Sequence, residues 1–529
     1  MSLDLVIRNG TLFDGTGKPP VQADIAVAGG RIAAIGRIDE RGGTEIDAQG
    51  LNVAPGFIDI HSHSDYTLLR DPRAVSAVKQ GVTLEVIGNC GFGCAPLRDP
   101  VLARNAIYGF DEGMPLAWRG VGEYLERLEK AKPAINVAML VPNGQLRLAA
   151  IGIEDRPADA KELDQMAGLL ADGLAEGAHG YSTGLEYPAE RAAPESEITQ
   201  LARVAARTDA LYATHTRDRD HKAVEAIEEA VRTAEHAGVR LQVSHLLPRV
   251  TAGGMLERSI ETVATARARG LDAAFDMHTR RYGTTFLNTI LPPWATRDGR
   301  EALRAHLDSA ESRARMKGYP SIIAAGGWDR IVLLDNPTVP EFSRRTFGDV
   351  GRELGRDPHD VAFDVLMREI DHLHRPMVII LCYEEDAQAA IFSHPLCMPG
   401  SDATTLAPDG PLAGATFHGA YSWAAWFWRF TVKQRRVLSP EEAIHRLTAL
   451  PASVMRLGDR GVLREGAAAD IAVFDPDRFA ERATTFEPNQ LAEGMMHVVV
   501  NGSLALRDGR LTGERGGAVL RRRAPPRYF

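Results

Sequence analysis

The chain has 529 residues, 44% of them hydrophobic and 25% charged, which are ordinary values for a globular protein large enough to hold more than one core. Its net charge of -9 disfavours a nucleic-acid partner, because phosphate neutralisation needs a basic surface. No run reaches the roughly 18 apolar residues of a membrane span, there is no signal-peptide pattern, and the four cysteines make no disulfide framework. We therefore expect a soluble cytoplasmic protein with reduced thiols and neither a membrane nor a nucleic-acid partner. The oligomeric state stays open.

Both ends of the chain show short strands joined by turns. The strand candidates are Leu3–Arg8, Asp24–Val27, Arg31–Ile35, Gly461–Leu463, Ala469–Phe474 and His497–Val500. Asn9-Gly10 and Asn501-Gly502 are typical hairpin-turn dipeptides. We predict that residues 1–54 and 455–529 form one composite β-sandwich domain.

Between the two ends, apolar strand candidates alternate with helical stretches, which is the pattern of a parallel sheet wrapped by helices. The strand candidates end near His63, Cys90, Asn143, Ser182, His215, His245, Asp276 and Asp402. The clearest helices are Asp159–Gly177, Glu195–Thr208, Lys222–Ala237 and Arg258–Arg269. Eight such units close an α/β fold of the (β/α)8 TIM-barrel type, which we place at residues 55–454.

The interval between the seventh and eighth strands, about residues 285–395, is much longer than one helix needs. Its entry is marked by Leu291-Pro292-Pro293-Trp294. We predict an inserted subdomain of mainly helical character over the barrel mouth, at about residues 286–345.

Metal-ligand residue types gather at the predicted strand ends. His61 and His63 follow an apolar run, and residues two apart on a strand face the same side, so both imidazoles can reach one ion. Cys90 ends the second strand between glycines, where a thiolate can bind zinc or bridge two ions. Cys94 is the competing candidate. His215 and His245 each close a later strand.

Active sites of barrel enzymes lie at the end where these residues meet. We therefore predict a metal centre built from His61, His63, Cys90, His215 and His245. Asp402 follows the eighth strand, where an aspartate can accept a proton from water and pass it to a leaving nitrogen. The alternative for Asp402 is a helix N-cap.

Taken together, several segments resemble the amidohydrolase superfamily, and within it the N-acyl-D-amino-acid deacylases (D-aminoacylases), over nearly the whole chain. They are Pro55–Asp65, Gly88–Gly91, Ser182–Pro188, Thr214–Arg217, Ser244-His245, Gly400–Asp402 and Ala469–Asp475. The resemblance implies one tightly held zinc at Cys90, His215 and His245, and leaves open a second, weaker ion at His61 and His63. It also implies that Asp402 is the catalytic acid/base and that Tyr187 contacts substrate.

The chain departs from this family where a substrate carboxylate would bind. Leu247 stands where the family usually has a lysine, His278 where it has a tyrosine, and residues 411–414 lack the usual carboxylate-binding arginine. Losing that bidentate arginine weakens carboxylate binding unless another cation compensates. The candidate replacements are Arg217, Arg249, Arg280 and Arg281, with His278 and His418 as weaker ones. Of these we place Arg217, Arg280 and His278, together with Tyr187, at the substrate.

The segment Phe417–Phe430 is rich in aromatic residues. It fits either a helix buried against the barrel or part of a larger apolar pocket.

These observations predict zinc-dependent hydrolysis of a linear amide C–N bond in a small molecule, most directly deacylation of an N-acyl-(D-)amino acid or a related N-acyl compound. One alternative is a cyclic-amide hydrolase similar to hydantoinases or dihydroorotases. Those enzymes usually bridge two metals with a carboxylated lysine on the fourth strand, and Gly177–Ser182 contains no lysine. The other alternative is a non-catalytic metal-binding barrel, which the presence of Asp402 disfavours.

Overall fold

The computed structural model describes residues 2–250, 252–319, 321 and 327–522. Its central feature is a nearly closed barrel of eight parallel strands, in which strands adjacent in the barrel follow one another along the chain and the eighth pairs with the seventh. A parallel bridge between Ser62 and Ala403 joins the last strand to the first. The strands are β6 (Phe57–Asp59), β7 (Val82–Ile87), β8 (Asn136–Pro142), β9 (Gly180–Gly184), β10 (Leu211–His215), β11 (Arg240–Val243), β12 (Ala273–His278) and β16 (Cys397–Gly400). The predicted (β/α)8 barrel is therefore confirmed.

Helices connect these strands and surround the barrel. They are α1 (Thr67–Arg70), α2 (Val75–Val78), α3 (Pro100–Ala103), α4 (Val121–Ala131), α5 (Asn143–Ala150), α6 (Ala160–Ala175), α7 (Glu195–Ala206), α8 (Ala223–Ala237) and α9 (Met255–Ala268). Helix α6 begins at a capping box in which Asp159 and Glu162 satisfy each other's backbone N–H groups. Within the described ranges, no helix combines the length and the apolar character needed to cross a membrane.

The two ends of the chain share one nine-stranded sheet. It contains β1 (Leu3–Leu12), β2 (Val21–Ala28), β3 (Arg31–Gly36), β4 (Gly42–Asp47), β5 (Asn52–Pro55), β17 (Ile471–Phe474), β18 (Met495–Val500), β19 (Ser503–Arg507) and β20 (Arg510–Leu511). Pairing of β5 with β17 joins the N-terminal strands to the C-terminal ones. Apolar side chains from both ends pack together, including Ile25, Val53 and Ile471. The bounds 1–54 and 455–529 stay a prediction, and residues 523–529 lie outside the described residues.

The two Asn-Gly dipeptides behave differently. Asn501-Gly502 makes the predicted turn between β18 and β19, with both residues at positive φ. Asn9-Gly10 instead lies inside β1, where the register against β2 shifts between Ile7 and Gly10. This bulge divides β1, so its first part pairs with β4 and its last residues pair with β5.

The insertion between β12 and β16 is mainly helical, as predicted. Its elements are β13 (Tyr282–Phe286), α10 (Pro293–Thr296), α11 (Arg300–Asp308), α12 (Ala310–Lys317), β14 (Ile331–Leu333), α13 (Phe347–Leu354), α14 (Pro358–Arg368) and β15 (Met377–Leu381). The three strands form an antiparallel sheet in the order β13-β15-β14, which the sequence pattern did not reveal. These elements extend beyond the predicted bounds of 286–345, and within those bounds residues 320 and 322–326 lie outside the described residues.

Four helices complete the fold. Helix α15 (Glu385–Ser393) leads into β16, and α16 (Trp423–Trp428), α17 (Pro440–Leu447) and α18 (Ala449–Val454) follow it.

A buried carboxylate connects the terminal sheet to the barrel. Asp470, just before β17, accepts hydrogen bonds from Asn136 Nδ2 at 3.0 Å, from the Asn501 backbone N–H at 2.7 Å, and from Arg460. Asn136 opens barrel strand β8, so one side chain holds three chain segments that are far apart in sequence.

We expect Asp470→Ala to destabilise the protein by about 3–5 kcal/mol, because it removes a partner of the buried Asn136 amide and of the mostly buried Arg460 guanidinium. The midpoint of urea unfolding, followed by circular dichroism, measures this loss. Asp477→Ala is the matched control, because Asp477 is exposed and pairs with Lys433 on the protein surface. Its removal is expected to cost about 0–1 kcal/mol. Equal midpoints for the two variants would contradict the assigned role of Asp470.

Candidate metal centre

Three polar residues at the barrel mouth have a left-handed backbone. Cys90, His245 and Asp402 have φ values of 53°, 35° and 45°. Such conformations are rare for residues other than glycine, cost about 1–3 kcal/mol each, and cluster at functional sites. Gly184 supports one of them, because any Cβ at that position would collide with the Cys90 carbonyl oxygen. The fold thus holds these three side chains in place against local backbone preference.

Cys90, His215 and His245 form a buried trio. The Cys90 Sγ lies 3.4 Å from His245 Nε2, and His215 Nδ1 lies 3.0 Å from the same nitrogen. All three donor atoms lie within 4.8 Å of one another. Cys94, the competing candidate in the sequence, lies in the main hydrophobic cluster and belongs to neither group of donors found in the described residues.

A second group shares Cys90 with the first. His61 Nε2 lies 3.1 Å from Cys90 Sγ and 3.6 Å from Asp402 Oδ1, and His63 Nε2 lies 3.1 Å from the same carboxylate oxygen. These four donors also fall within 4.8 Å of one another. The structure therefore brings all five predicted ligands and Asp402 together at the barrel mouth, with the thiol common to both groups.

The chemistry of these donors fits a zinc ion. Thiolate and imidazole are its usual protein ligands, and an imidazole must be neutral to bind. Burial lowers the pKa of His63, of His245, and of His215 to about 4, so these rings are neutral at physiological pH. Burial raises the pKa of Cys90 to about 11, and a coordinated metal ion deprotonates such a thiol. His63 Nδ1 and His245 Nδ1 are buried and have no hydrogen-bond partner among the described residues.

Asp402 is held as a carboxylate. Burial opposes its ionisation, but the Arg280 cation and the hydrogen bond from His63 keep the pKa of Asp402 below its ordinary value. Arg280 donates to Asp402 Oδ2 at 3.0 Å and to the Asp402 carbonyl at 2.8 Å. An ionised aspartate in this position can accept a proton.

Asp276 is a residue whose role the sequence analysis missed. Its Oδ1 lies 3.0 Å from His61 Nδ1 and accepts the His245 backbone N–H at 2.8 Å, while Oδ2 accepts from Gln242 at 2.6 Å. One carboxylate on β12 therefore orients a histidine from each donor group. The sequence signal for this role is the position of Asp276 at the end of the predicted seventh strand.

Glu186 was also missed. Its Oε2 accepts from His215 Nε2 at 2.7 Å, which leaves His215 Nδ1 facing His245 and Cys90. Arg249 bonds Glu186 and also reaches Asp220 at 2.7 and 2.9 Å. Burial opposes ionisation, yet Arg249 and the His215 bond lower the pKa of Glu186 to about 2. A carboxylate behind a metal-binding histidine fixes its tautomer and raises its basicity.

The predicted substrate residues lie at different places. The Tyr187 ring is 4.7 Å from the His215 ring and 4.5 Å from the Phe92 ring. His278 is buried beside the cluster, with both ring nitrogens lacking a hydrogen-bond partner in the described structure. Arg280 lies at Asp402. Arg217 is not brought to the cluster, because its donors bond Glu229 and the carbonyls of Arg191 and Ala193.

The other candidate cations are also engaged. Arg249 pairs with Glu186 and Asp220, Arg281 pairs with Glu385 at 3.3 Å, and His418 bonds the Thr485 carbonyl at 2.5 Å. None of these three extends a free charged group toward the cluster.

The aromatic segment Phe417–Phe430 contains both a helix buried against the barrel and residues near the mouth. Trp423 and Trp428 of α16 are fully buried in the main core. Phe417 instead packs edge-on against Tyr108, whose ring lies 4.8 Å from the His63 ring. The helix is thus structural, and the residues before it contribute to the wall of the mouth.

A model of the amidohydrolase family matches residues 44–320 and 399–505. The chain belongs to the amidohydrolase family. An N-acyl-D-aspartate deacylase of Alcaligenes xylosoxydans xylosoxydans is 35% identical over 98% of this chain and 95% of its own. An N-acyl-D-glutamate deacylase of Bordetella bronchiseptica, solved with zinc and a phosphonate mimic of the tetrahedral intermediate, superposes with a TM-score of 0.81 at 32% identity over 99% and 100% of the two chains.

A D-aminoacylase structure concerned with the role of its binuclear metal centre has a TM-score of 0.81 at 29% identity, over 98% and 100% of the two chains. Within the amidohydrolases, this protein is therefore a member of the D-aminoacylase family. The family prediction is confirmed. This amidohydrolase is a metal-dependent hydrolase.

We expect Glu186→Gln to weaken the affinity for added Zn²⁺ by about 10- to 100-fold, because His215 loses the negative partner that orients it. Competition with a fluorescent zinc chelator measures the dissociation constant.

Glu197→Gln is the matched control, because Glu197 is a buried carboxylate paired with Arg147 away from the cluster. It is expected to lower stability without changing zinc affinity. Wild-type affinity in Glu186→Gln would contradict the role assigned to Glu186.

Proposed function

We propose that this amidohydrolase uses zinc to hydrolyse a linear amide C–N bond, as a deacylase of an N-acyl-(D-)amino acid or a related N-acyl compound. The observation that carries this proposal is the pair of donor groups that share Cys90, with Asp402 beside His61 and His63. The small-molecule substrates and the zinc named for the relatives support it.

Cys90, His215 and His245 would hold the zinc, because they combine one thiol with two neutral imidazoles in a buried trio. His61 and His63 would serve a second, weaker ion or stabilise the negative charge that develops on the amide oxygen. When bound, zinc supplies Lewis-acid polarisation of the amide carbonyl and acidifies the attacking water.

Asp402 would take a proton from the attacking water and return it to the departing nitrogen. Its carboxylate is ionised because Arg280 and His63 stabilise the charge, so it can accept the first proton at neutral pH. His63 Nε2 bonds Asp402 Oδ1 at 3.1 Å, and this bond limits the positions that the oxygen can adopt. Arg280 therefore acts on the chemistry through Asp402, since both of its Nη atoms are already used there and at Ser401.

Two residues would contact the bound substrate. Tyr187 presents its ring over His215 at the edge of the trio. His278 offers two ring nitrogens that have no partner in the described part of the chain, and its neutral ring suits hydrogen bonding to an amide rather than pairing with a carboxylate. Burial, followed by the nearby Arg280 cation, lowers the pKa of His278 well below its usual value.

The test is a turnover screen of the zinc-loaded protein with paired N-acyl-D- and N-acyl-L-amino acids, extended to amides without a carboxylate. We expect hydrolysis that a zinc chelator abolishes and added Zn²⁺ restores. Turnover of only the amides that lack a carboxylate would contradict the proposal of an amino-acid deacylase. It would leave the proposal of an amide hydrolase in place. No turnover of any amide by fully loaded protein would contradict both.

We expect Asp402→Asn to lower kcat by about 100- to 10,000-fold, because asparagine cannot accept or return the proton. The zinc content of the variant, measured by atomic absorption, should equal that of the wild type, because Cys90, His215 and His245 are retained. Asp409→Asn, an exposed partner of Arg73 on the following loop, is the control and should retain wild-type kcat. Unchanged hydrolysis in Asp402→Asn would show that another group moves the proton.

A further inference from the structure

Arg219 is a buried arginine in the loop between β10 and α8, with only 6% of its surface exposed. Its Nη2 donates to the His245 carbonyl at 2.6 Å, to the Leu247 carbonyl at 3.2 Å and to Tyr383 Oη at 2.7 Å. Its Nε is buried and has no acceptor among the described residues. The acceptors around Nη2 are uncharged, so they do not balance the positive charge of the guanidinium.

The lack of a bonded carboxylate distinguishes Arg219 from the other buried arginines in the described part of the chain. Each of the others forms an ion pair with a carboxylate. They are Arg147, Arg240, Arg249, Arg280 and Arg446. The Glu186 carboxylate, which is near Arg219, already bonds His215 and Arg249. A buried charge without a bonded counter-charge is costly, so an anion bound at Arg219 would stabilise it.

Arg219 lies beside the trio of Cys90, His215 and His245. It bonds the backbone carbonyl of His245, and burial followed by the Arg219 cation lowers the pKa of His245. Tyr383, which follows β15 of the insertion, connects Arg219 to His278, because the Tyr383 and His278 rings lie 5.1 Å apart. The His278 ring lies 6.3 Å from the His245 ring. Arg219, Tyr383 and His278 therefore form a continuous polar wall that carries a positive charge.

An N-acyl-amino acid would bring the anion that this wall lacks. Its carboxylate is separated from the amide nitrogen by a single carbon atom, so it stays close to an amide held at the trio. The planar guanidinium of an arginine matches the geometry of a carboxylate. Arg249 and Arg280 cannot take this role without releasing the carboxylates that they already bond.

We propose that Arg219 binds the carboxylate on the amine half of the substrate, while His278 contacts the amide. Arg219 would thereby select N-acyl-amino acids over N-acyl compounds without a carboxylate. This inference rests on the proposed function and adds a specificity-determining residue to it. A purely structural role for Arg219, holding the His245 carbonyl, would instead affect every substrate alike.

The first experiment compares N-acetylalanine with N-acetylalaninamide, each as the D and the L enantiomer, on zinc-loaded wild-type protein. The two compounds differ in the charge of one end, and acetate release followed by proton NMR gives kcat and KM for each. We expect kcat/KM for the better enantiomer to be about 30- to 1000-fold higher for the acid than for the amide, because only the acid pairs with the buried cation. Equal values, or a preference for the amide, would overturn the proposal.

The second experiment changes Arg219 itself. Arg219→Met should lower kcat/KM for the acid by about 30- to 1000-fold and change it for the amide by less than about threefold. Arg219→Lys keeps the charge but not the planar fork, so it should recover part of the preference for the acid. Equal losses for the acid and the amide in Arg219→Met would overturn the proposal and leave a structural role. If Arg219→Met does not fold, the wild-type ratio and Arg219→Lys decide.

Arg240→Met is the matched control. Arg240 is also buried and also donates to two backbone carbonyls, those of Asp209 and Val454, but it lies at the start of β11, at the other end of the strand from His245. Its loss should lower stability and keep the wild-type ratio of acid to amide. A changed ratio in Arg240→Met would show that the ratio does not report on Arg219, and would overturn the proposal.

A binding measurement separates this proposal from the proposed function. No acetate release from any of the compounds would contradict the proposed function. Isothermal titration calorimetry with the same compounds then tests Arg219 without turnover. Tighter binding of the acid that Arg219→Met removes would support the carboxylate site. Equal binding of the acid and the amide, or binding of neither, would overturn it.

Discussion

The shared position of the Cys90 thiol is the constraint on which the rest of the site depends. One sulfur lies 3.1 Å from His61 Nε2 and 3.4 Å from His245 Nε2, so the two donor groups meet at a single atom. Three features hold the sulfur in this position: the left-handed backbone at Cys90, the absence of a side chain at Gly184 beside it, and the closure of the barrel between Ser62 and Ala403. Such strain persists only where the surrounding structure over-determines it.

Buried charge around the donors is compensated by partners within the fold. Asp276 receives bonds from His61, Gln242 and the His245 backbone, while Arg249 lies between Glu186 and Asp220. An unpaired buried charge would cost several kcal/mol, so each of these groups depends on its neighbour. The arginines near the barrel mouth take part in this pairing as well. Arg217, Arg249, Arg280 and Arg281 all bond carboxylates or carbonyls of the protein itself rather than facing the cluster with a free charge.

The sequence supported the barrel strongly, because apolar strands alternating with amphipathic helices leave a regular pattern and the strand ends carry histidine, cysteine and aspartate. It did not reveal the three-stranded sheet of the insertion. Strand β14 is three residues long and pairs with β15 more than forty residues away, so no local pattern reveals it. Asn9-Gly10 was misleading for a related reason. The dipeptide supplies positive φ, and pairing with β4 and β5 decides whether that φ makes a turn or a bulge.

The sequence alone determined the family, the barrel and the residue types at its mouth, since these follow from residues within a few positions of each other. Which side chains come into contact depends on how the whole chain folds. Glu186 and Arg249 are 63 residues apart and Arg280 and Asp402 are 122 apart, yet these pairs set the charge of the site. The structure likewise placed one cavity beside Tyr187 and another beside Arg280, because both are formed between barrel loops and an insertion that are distant in the chain.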